Sequence, residues 1–196
     1  MESAQGIKLT NSYNRSKIHP HKFALYVSMA SIMMMFAGLT SAFVVRRAAG
    51  NWLEFYMPRE FYISAAVIVA SSICLHLSVR SFKRGSAAGY KLFMILAMIC
   101  GIAFVGLQYS GWLTLDAGGI AVDGNPSGSF VYAISGLHVA HVVGGIAVLL
   151  VCVLRAFTVP YKRTERRLIR LELSAIYWHF VDILWLYLLF FMIWQM

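Results

Sequence analysis

With 196 residues, 60% of them hydrophobic and 13% charged, the chain is far more apolar than a water-soluble domain of average composition. A formal charge of +9 would point to nucleic acid in a soluble protein, but the charges here lie between long apolar runs, which argues against that partner. Cys74, Cys100 and Cys152 all fall inside apolar runs, are odd in number and have no Cys-x-x-Cys spacing, so neither a disulfide framework nor a thiolate metal site is indicated.

Residues 1–22 form a polar tail, and His19-Pro20-His21 marks where the first helix begins, because proline disfavours helix at the residue before it. The first apolar run is too long for the core of a cleavable leader and reads as a span. A spanning helix needs about 20 mostly apolar residues to cross about 30 Å of hydrocarbon. Five segments meet that test: 23–45, 61–79, 92–115, 130–154 and 173–196, and only the last holds a formal charge, Asp182. The expected fold is an all-α integral membrane bundle of five helices over 23–196. The Gly-rich stretch 116–129 reads as a connector, without the alternating acids of a calcium loop. Residues 164–170 are charged enough for an interfacial turn or two, with Glu165 near Arg163 or Arg167. No internal repeat is evident.

The charges sort by loop. The tail, the second loop and the fourth loop carry fourteen basic residues, against three (Arg46, Arg47 and Arg59) on the other side. The positive-inside rule then places the N-terminus in the cytoplasm and the C-terminus outside.

Chemistry-bearing residues concentrate in the last two helices. His138, His141 and Gly145 fall on one face of the fourth. Two readings follow. The imidazoles bind a haem or metal, or they hydrogen-bond to neighbouring helices while Gly145, with Ala140 and Gly144 alongside, lets a backbone approach closely. In the fifth helix, Glu172 and His179 share a face, and Asp182 lies one turn beyond His179. A mid-span aspartate is expensive unless partnered, and His179 is its helical neighbour. The pair reads as a proton relay, as an anchor to a partner subunit or as a structural pair. Aromatic residues including Trp178 and Trp185 encircle this helix, and Trp194 suits an interfacial belt. Met33-Met34-Met35 has no histidine or charge beside it and reads as adaptable packing rather than a copper site.

The run Tyr177-Trp178-His179-Phe180-Val181-Asp182-Ile183-Leu184-Trp185-Leu186 resembles the Tyr-Trp-His-Phe-Val-Asp-(apolar)2-Trp-Leu signature of the cytochrome c oxidase subunit III family. Glu172 stands at the family's spacing before it. Gly136-Leu137-His138-x-x-His141-Val142-x-x-Gly145 resembles the family's Gly-Phe-His-x-x-His-Val-x-x-Gly motif. The resemblance covers about residues 98–196, Gln108 included, and is weak over the first two helices. It implies an accessory subunit of a haem-copper terminal oxidase in a bacterial cytoplasmic membrane, serving aerobic electron transfer to oxygen coupled to proton pumping. Such a subunit holds no haem, copper or catalytic residue of its own. It packs directly on catalytic subunit I, shares the complex with subunit II, binds phospholipid, supports proton uptake, and belongs to a larger respiratory assembly in some systems. The donor site would lie on other subunits, so cytochrome c and quinol both stay open as donors, and the fifth-helix signature leans towards cytochrome c. His138, His141, Glu172, Trp178, His179, Asp182 and Trp185 are the implied structural, proton-handling or docking residues. The chain departs from the family in having five helices where many members have seven, in Ile32 where members carry an embedded glutamate, and in Gly111 near a position that is acidic elsewhere.

Overall fold

The computed structural model describes residues 20–161 and 164–195. Residues 1–19 of the expected tail, Arg163 and the terminal Met196 lie outside the described residues, and residues 20–22 belong to the first helix. Five helices run in chain order: α1 (Pro20–Ala48), α2 (Arg59–Arg84), α3 (Ala87–Ala117), α4 (Pro126–Thr158) and α5 (Glu165–Gln195). All five are long and apolar enough to cross a membrane, and no strand occurs among the described residues. Each helix overruns its apolar stretch at one end or both, because hydropathy marks the hydrocarbon slab whereas the backbone stays helical to the next cap. Residues 165–170 accordingly form the first turns of α5 itself.

Helix ends follow local chemistry. Gly85, at φ 86°, closes α2 in the left-handed conformation that glycine adopts without a side-chain penalty, and Ser86 then caps α3 by accepting from Gly89 N–H. Asn125 caps α4 by accepting from the backbone N–H of Ser127 at 3.0 Å, with Pro126 as the first helical residue. At the far end of α4, the Arg167 guanidinium donates to the carbonyls of Arg155 and Pro160 at 2.8 and 2.9 Å. Arg167 therefore serves as a helix cap and not as the partner of Glu165.

α2, α3, α4 and α5 form a four-sided bundle in which each packs on its neighbours, and α1 lies against the α4–α5 side. The buried residues of α2 (Phe61, Ser64, Ile68, Ser71, Leu75, Ser78, Phe82) alternate three and four apart, as do those of α3 from Tyr90 to Leu115. That spacing averages 3.5 residues, the repeat of left-handed helix pairs. Small side chains on this seam bring the backbones close, and three serines seven residues apart bridge it. Ser78 Oγ donates to Tyr90 O at 2.9 Å, Ser71 Oγ donates to Ala97 O at 2.7 Å, and Ser64 Oγ accepts from Gln108 Nε2 at 2.8 Å. Outward-facing Ile73, Ile99, Leu150 and Phe190 are exposed, as suits a surface solvated by lipid chains.

Candidate functional site

The two motif-bearing segments meet where α4 packs on α5. Trp178 is fully buried between two glycines: a Cβ on Gly101 of α3 would stand 2.8 Å from its ring, and one on Gly145 of α4 would stand 2.9 Å away. No larger residue fits at either place without displacing the indole. Its Nε1–H donates to Ser71 Oγ of α2 at 3.0 Å. One side chain thus touches all three neighbouring helices, and the Tyr177 hydroxyl adds a bond to His141 O at 3.0 Å. Gly145 is therefore the close-approach glycine, whereas Ala140 and Gly144 are exposed and a Cβ on Gly144 would meet nothing within 4 Å.

One heptad on, Trp185 is also fully buried. It stacks on His138 with ring centres 5.0 Å apart, stacks on Phe61 at 6.0 Å, and meets the edge of Phe104 at 5.4 Å. Phe61 in turn packs on Gly111, where a Cβ would lie 2.7 Å from the ring. Gly111 is thus the floor beneath an aromatic stack.

The histidines do not behave as either sequence reading requires. His138 is fully buried among Trp185, Phe104 and Phe36, and neither ring nitrogen has a hydrogen-bond partner among the described residues. His141, half-buried, turns Nδ1 back to Leu137 O of its own helix at 2.7 Å and lays its ring 5.8 Å from Phe36. Cross-helix hydrogen bonding by this pair is thus corrected to aromatic packing, because α1 and α5 present rings rather than polar atoms at this level. A haem would need an open axial direction at an imidazole nitrogen. The aromatic walls around His138 do not fit that requirement. No group of three or more His, Cys, Asp or Glu side chains converges among the described residues.

On the other side of α5, Asp182 is 3% exposed and neither carboxylate oxygen has a hydrogen bond of regular geometry. Its polar neighbour is the Ser72 hydroxyl of α2. Ser72 is shared, since its hydroxyl hydrogen-bonds His179 Nδ1. The expected His179–Asp182 pair is replaced by a shared neighbour, the Ser72 hydroxyl, with no ion pair between the two side chains among the described residues. His179 leans towards α2, where the His76 ring lies 6.3 Å away. Glu172 makes an ion pair with Lys83 of α2 at 2.8 Å. Ser71, Ser72, Lys83 and Gly101 were missed from the sequence, although the seven-residue serine spacing in α2 was visible there.

Comparison with known proteins now decides what these motifs belong to. The family described as Cytochrome c oxidase subunit III matches residues 52–196. The chain belongs to the cytochrome c oxidase subunit III family. A probable cytochrome c oxidase subunit 3 from Nocardia farcinica is 30% identical over 165 residues, which covers 81% of this chain and 79% of the relative. The cytochrome c oxidase subunit 3 of Thermostichus vulcanus is 26% identical over 171 residues, covering 84% and 82%. The rabbit (Oryctolagus cuniculus) subunit 3 is 29% identical over 126 residues, but these are only 46% of its length. Membership of a multi-subunit respiratory oxidase and a multi-pass membrane location follow from the family and the five spans. Within the subunit III frame, His138, Trp178, Trp185 and Gly145 are packing partners of one another across α4 and α5.

Proposed function

We propose that this chain acts as a subunit III without a redox centre of its own, in a bacterial cytoplasmic membrane. It packs on catalytic subunit I beside subunit II, holds phospholipid, and sustains proton uptake into the catalytic subunit, with haem and copper carried by those partners. The observation that carries this reading is the packing of the two hallmark segments on each other. Residues that could ligate a cofactor are instead walled by Trp185, Phe104 and Phe36, while Glu172, His179 and Asp182 gather on the α2 side of α5. The phospholipid part of the reading is supported by a cavity of about 420 Å³ at the α4–α5 turn, lined by Tyr90, Arg155, Arg166, Arg170 and Leu171, which combines guanidinium groups suited to a phosphate with an apolar floor. The loop charges support an orientation with this basic end in the cytoplasm and the C-terminus outside.

Purification in mild detergent tests the reading. The chain should co-purify with a haem-bearing subunit, and after separation its own absorption spectrum should show no haem band. Stoichiometric haem or copper that stays with the separated chain and is lost on His138→Ala would overturn it. Orientation is checked with single cysteines at Ser12 and Asp123: an impermeant reagent outside intact cells should label Asp123→Cys and leave Ser12→Cys untouched.

A further inference from the structure

Two imidazoles meet where α2 packs on α5, close to one end of both spans. His76 stands three residues before the end of the apolar run 61–79 and one turn from Arg80. His179 lies seven residues from Glu172, whose ion pair with Lys83 marks the water boundary. An ion dissolved in the adjoining water therefore has a short way to go. The two ring centres are 6.3 Å apart, His76 is exposed and His179 is half-buried. No hydrogen bond occupies His76 or the Nε2 of His179 among the described residues.

His179 is held from behind. Its Nδ1 is hydrogen-bonded to the Ser72 hydroxyl, which also neighbours the Asp182 carboxylate, and this leaves Nε2 as the nitrogen open to a ligand. A metal-bound histidine is oriented in the same manner, by an oxygen that engages its second nitrogen and fixes the tautomer. Asp182 is 3% exposed, lacks regular hydrogen bonds and forms no ion pair among the described residues. A buried carboxylate is costly without positive charge close by. Lys83 is already engaged by Glu172, and Arg80 points out at the end of the span. A dication on the imidazole pair supplies that charge across Ser72.

The spacing admits one ion. Zinc–nitrogen bonds of about 2.0–2.1 Å set two imidazole centres about 5 Å apart at a tetrahedral angle and about 6 Å apart at a wide one. The rings stand at the open end of that range, and a side-chain rotation of the exposed His76 closes it. Neutral imidazole suits zinc, and water completes the coordination.

We infer that His76 and His179 clamp a single divalent ion of the zinc class between α2 and α5, with Ser72 and Asp182 orienting His179 from behind. Such an ion pins two helices and carries no electrons, so the site is independent of the oxidase role proposed above.

The complete complex in mild detergent is stripped with a chelator and dialysed against buffered zinc, and its metal content is compared with that of variants. Wild type should hold one more zinc ion per complex than His76→Ala, a change on an exposed residue that leaves the core of the bundle untouched. Ser72→Ala should keep the site but weaken it by about 10–100-fold, as loss of an orienting partner does. X-ray absorption at the zinc edge, taken as the difference between wild type and His76→Ala, should show imidazole nitrogen at about 2.0 Å. Equal zinc in wild type and His76→Ala, or a difference spectrum without imidazole, overturns the site. Undiminished affinity in Ser72→Ala overturns the part given to Ser72 and Asp182. The same comparison can be read on the full chain alone, so a chain that never co-purifies with a haem protein removes the oxidase role and leaves this test in force.

Discussion

The α2–α5 bundle and the α1 helix are held by different means. Within the bundle, serine bridges and an indole seated between two glycines lock four helices together. Among the described residues, α4 and α5 are the helices that α1 packs against, and its buried hydrophobic side chains are Phe36 and Phe43, seven apart. Phe36 reaches the edges of His138 and His141, and Phe43 sits in a cage of Trp52, Phe191 and Phe130 at 4.6, 5.3 and 5.6 Å. Most of the rest of α1 is open, including Met33 and Met34 at 58% and 76%, so two residues of the methionine run are surface rather than core packing. Lipid chains are as apolar as leucine, so burial alone gives helices no reason to associate in a membrane. Attachment comes from close fit and buried polar bonds, and α1 has less of both.

The largest expected effect comes from spoiling the close fit. Gly145→Leu places a branched side chain where even a Cβ would be 2.9 Å from Trp178 and 3.2 Å from Tyr177. The indole has no slack on the adjoining edge of the same ring, where a Cβ on Gly101 would stand 2.8 Å away. Overpacking costs about 1–3 kcal/mol in a core that can yield and more in one that cannot. This variant should fail to accumulate as a folded subunit, read as loss of the monodisperse species in detergent. Gly144→Leu, one residue away and facing open space, should behave as wild type.

Phe43→Ala separates the two regions most sharply. Removing a buried phenylalanine costs about 3–5 kcal/mol. The loss should fall on α1 alone, so hydrogen exchange should accelerate across Pro20–Ala48 and remain slow in α2 and α3. Uniform acceleration across all five helices would show that α1 is integral to the bundle.

How much of this was legible in the sequence follows the same division. Span number and type were readable because the hydrocarbon thickness imposes a length on each apolar run, and the hallmark motifs named the family from α4 and α5. Partners across helices were not readable. His179 and Asp182 are one turn apart on α5, and nothing local says that the intervening polar atom is the Ser72 hydroxyl on a helix about a hundred residues earlier. The glycine that matters was distinguishable from its neighbour only once Trp178 was in place. Glu172 with Lys83 is a similar case, since charge gives the sign of a partner and topology gives its identity. The serine repeat was available in principle. Ser64, Ser71 and Ser78 keep a seven-residue spacing that signals a helix seam, but hydropathy reads serine as a weakness in a span and so conceals it.

A smaller effect is expected at that seam. Ser71 accepts from Trp178 and donates to Ala97 O. Ser71→Ala orphans an indole N–H, and interhelical hydrogen bonds in membranes average about 0.6 kcal/mol, with a maximum near 1.7. A loss of about 1 kcal/mol in unfolding free energy, measured in mixed micelles, is expected. Trp178→Phe in the same background should then cost little more for the bond itself, since its partner has already gone, and a double-mutant cycle gives the coupling.

The smallest effect on the separated subunit, and the most informative contrast with the complex, is at Asp182. A buried carboxylate without regular hydrogen bonds contributes little to the stability of the chain that holds it, and its burial is itself a cost. Its neighbour Ser72 also hydrogen-bonds His179. Asp182→Asn preserves shape, removes the acid and takes away no hydrogen bond of regular geometry, so the separated subunit should unfold close to wild type. Asp182→Ala should cost somewhat more through the lost side-chain volume. In the assembled oxidase the ordering should widen: if the carboxylate completes the polar layer beneath His76 and His179, Asp182→Ala loosens subunit retention while Asp182→Asn largely preserves it, and the haem spectrum of the catalytic subunit stays unchanged in both. Subunit stoichiometry and proton uptake per electron, followed through sustained turnover, distinguish this docking role from a relay. A complex that remains fully assembled and durable with Asp182→Asn, yet stops taking up protons at once, would make Asp182 a group on the proton path rather than part of the surface that holds the subunits together.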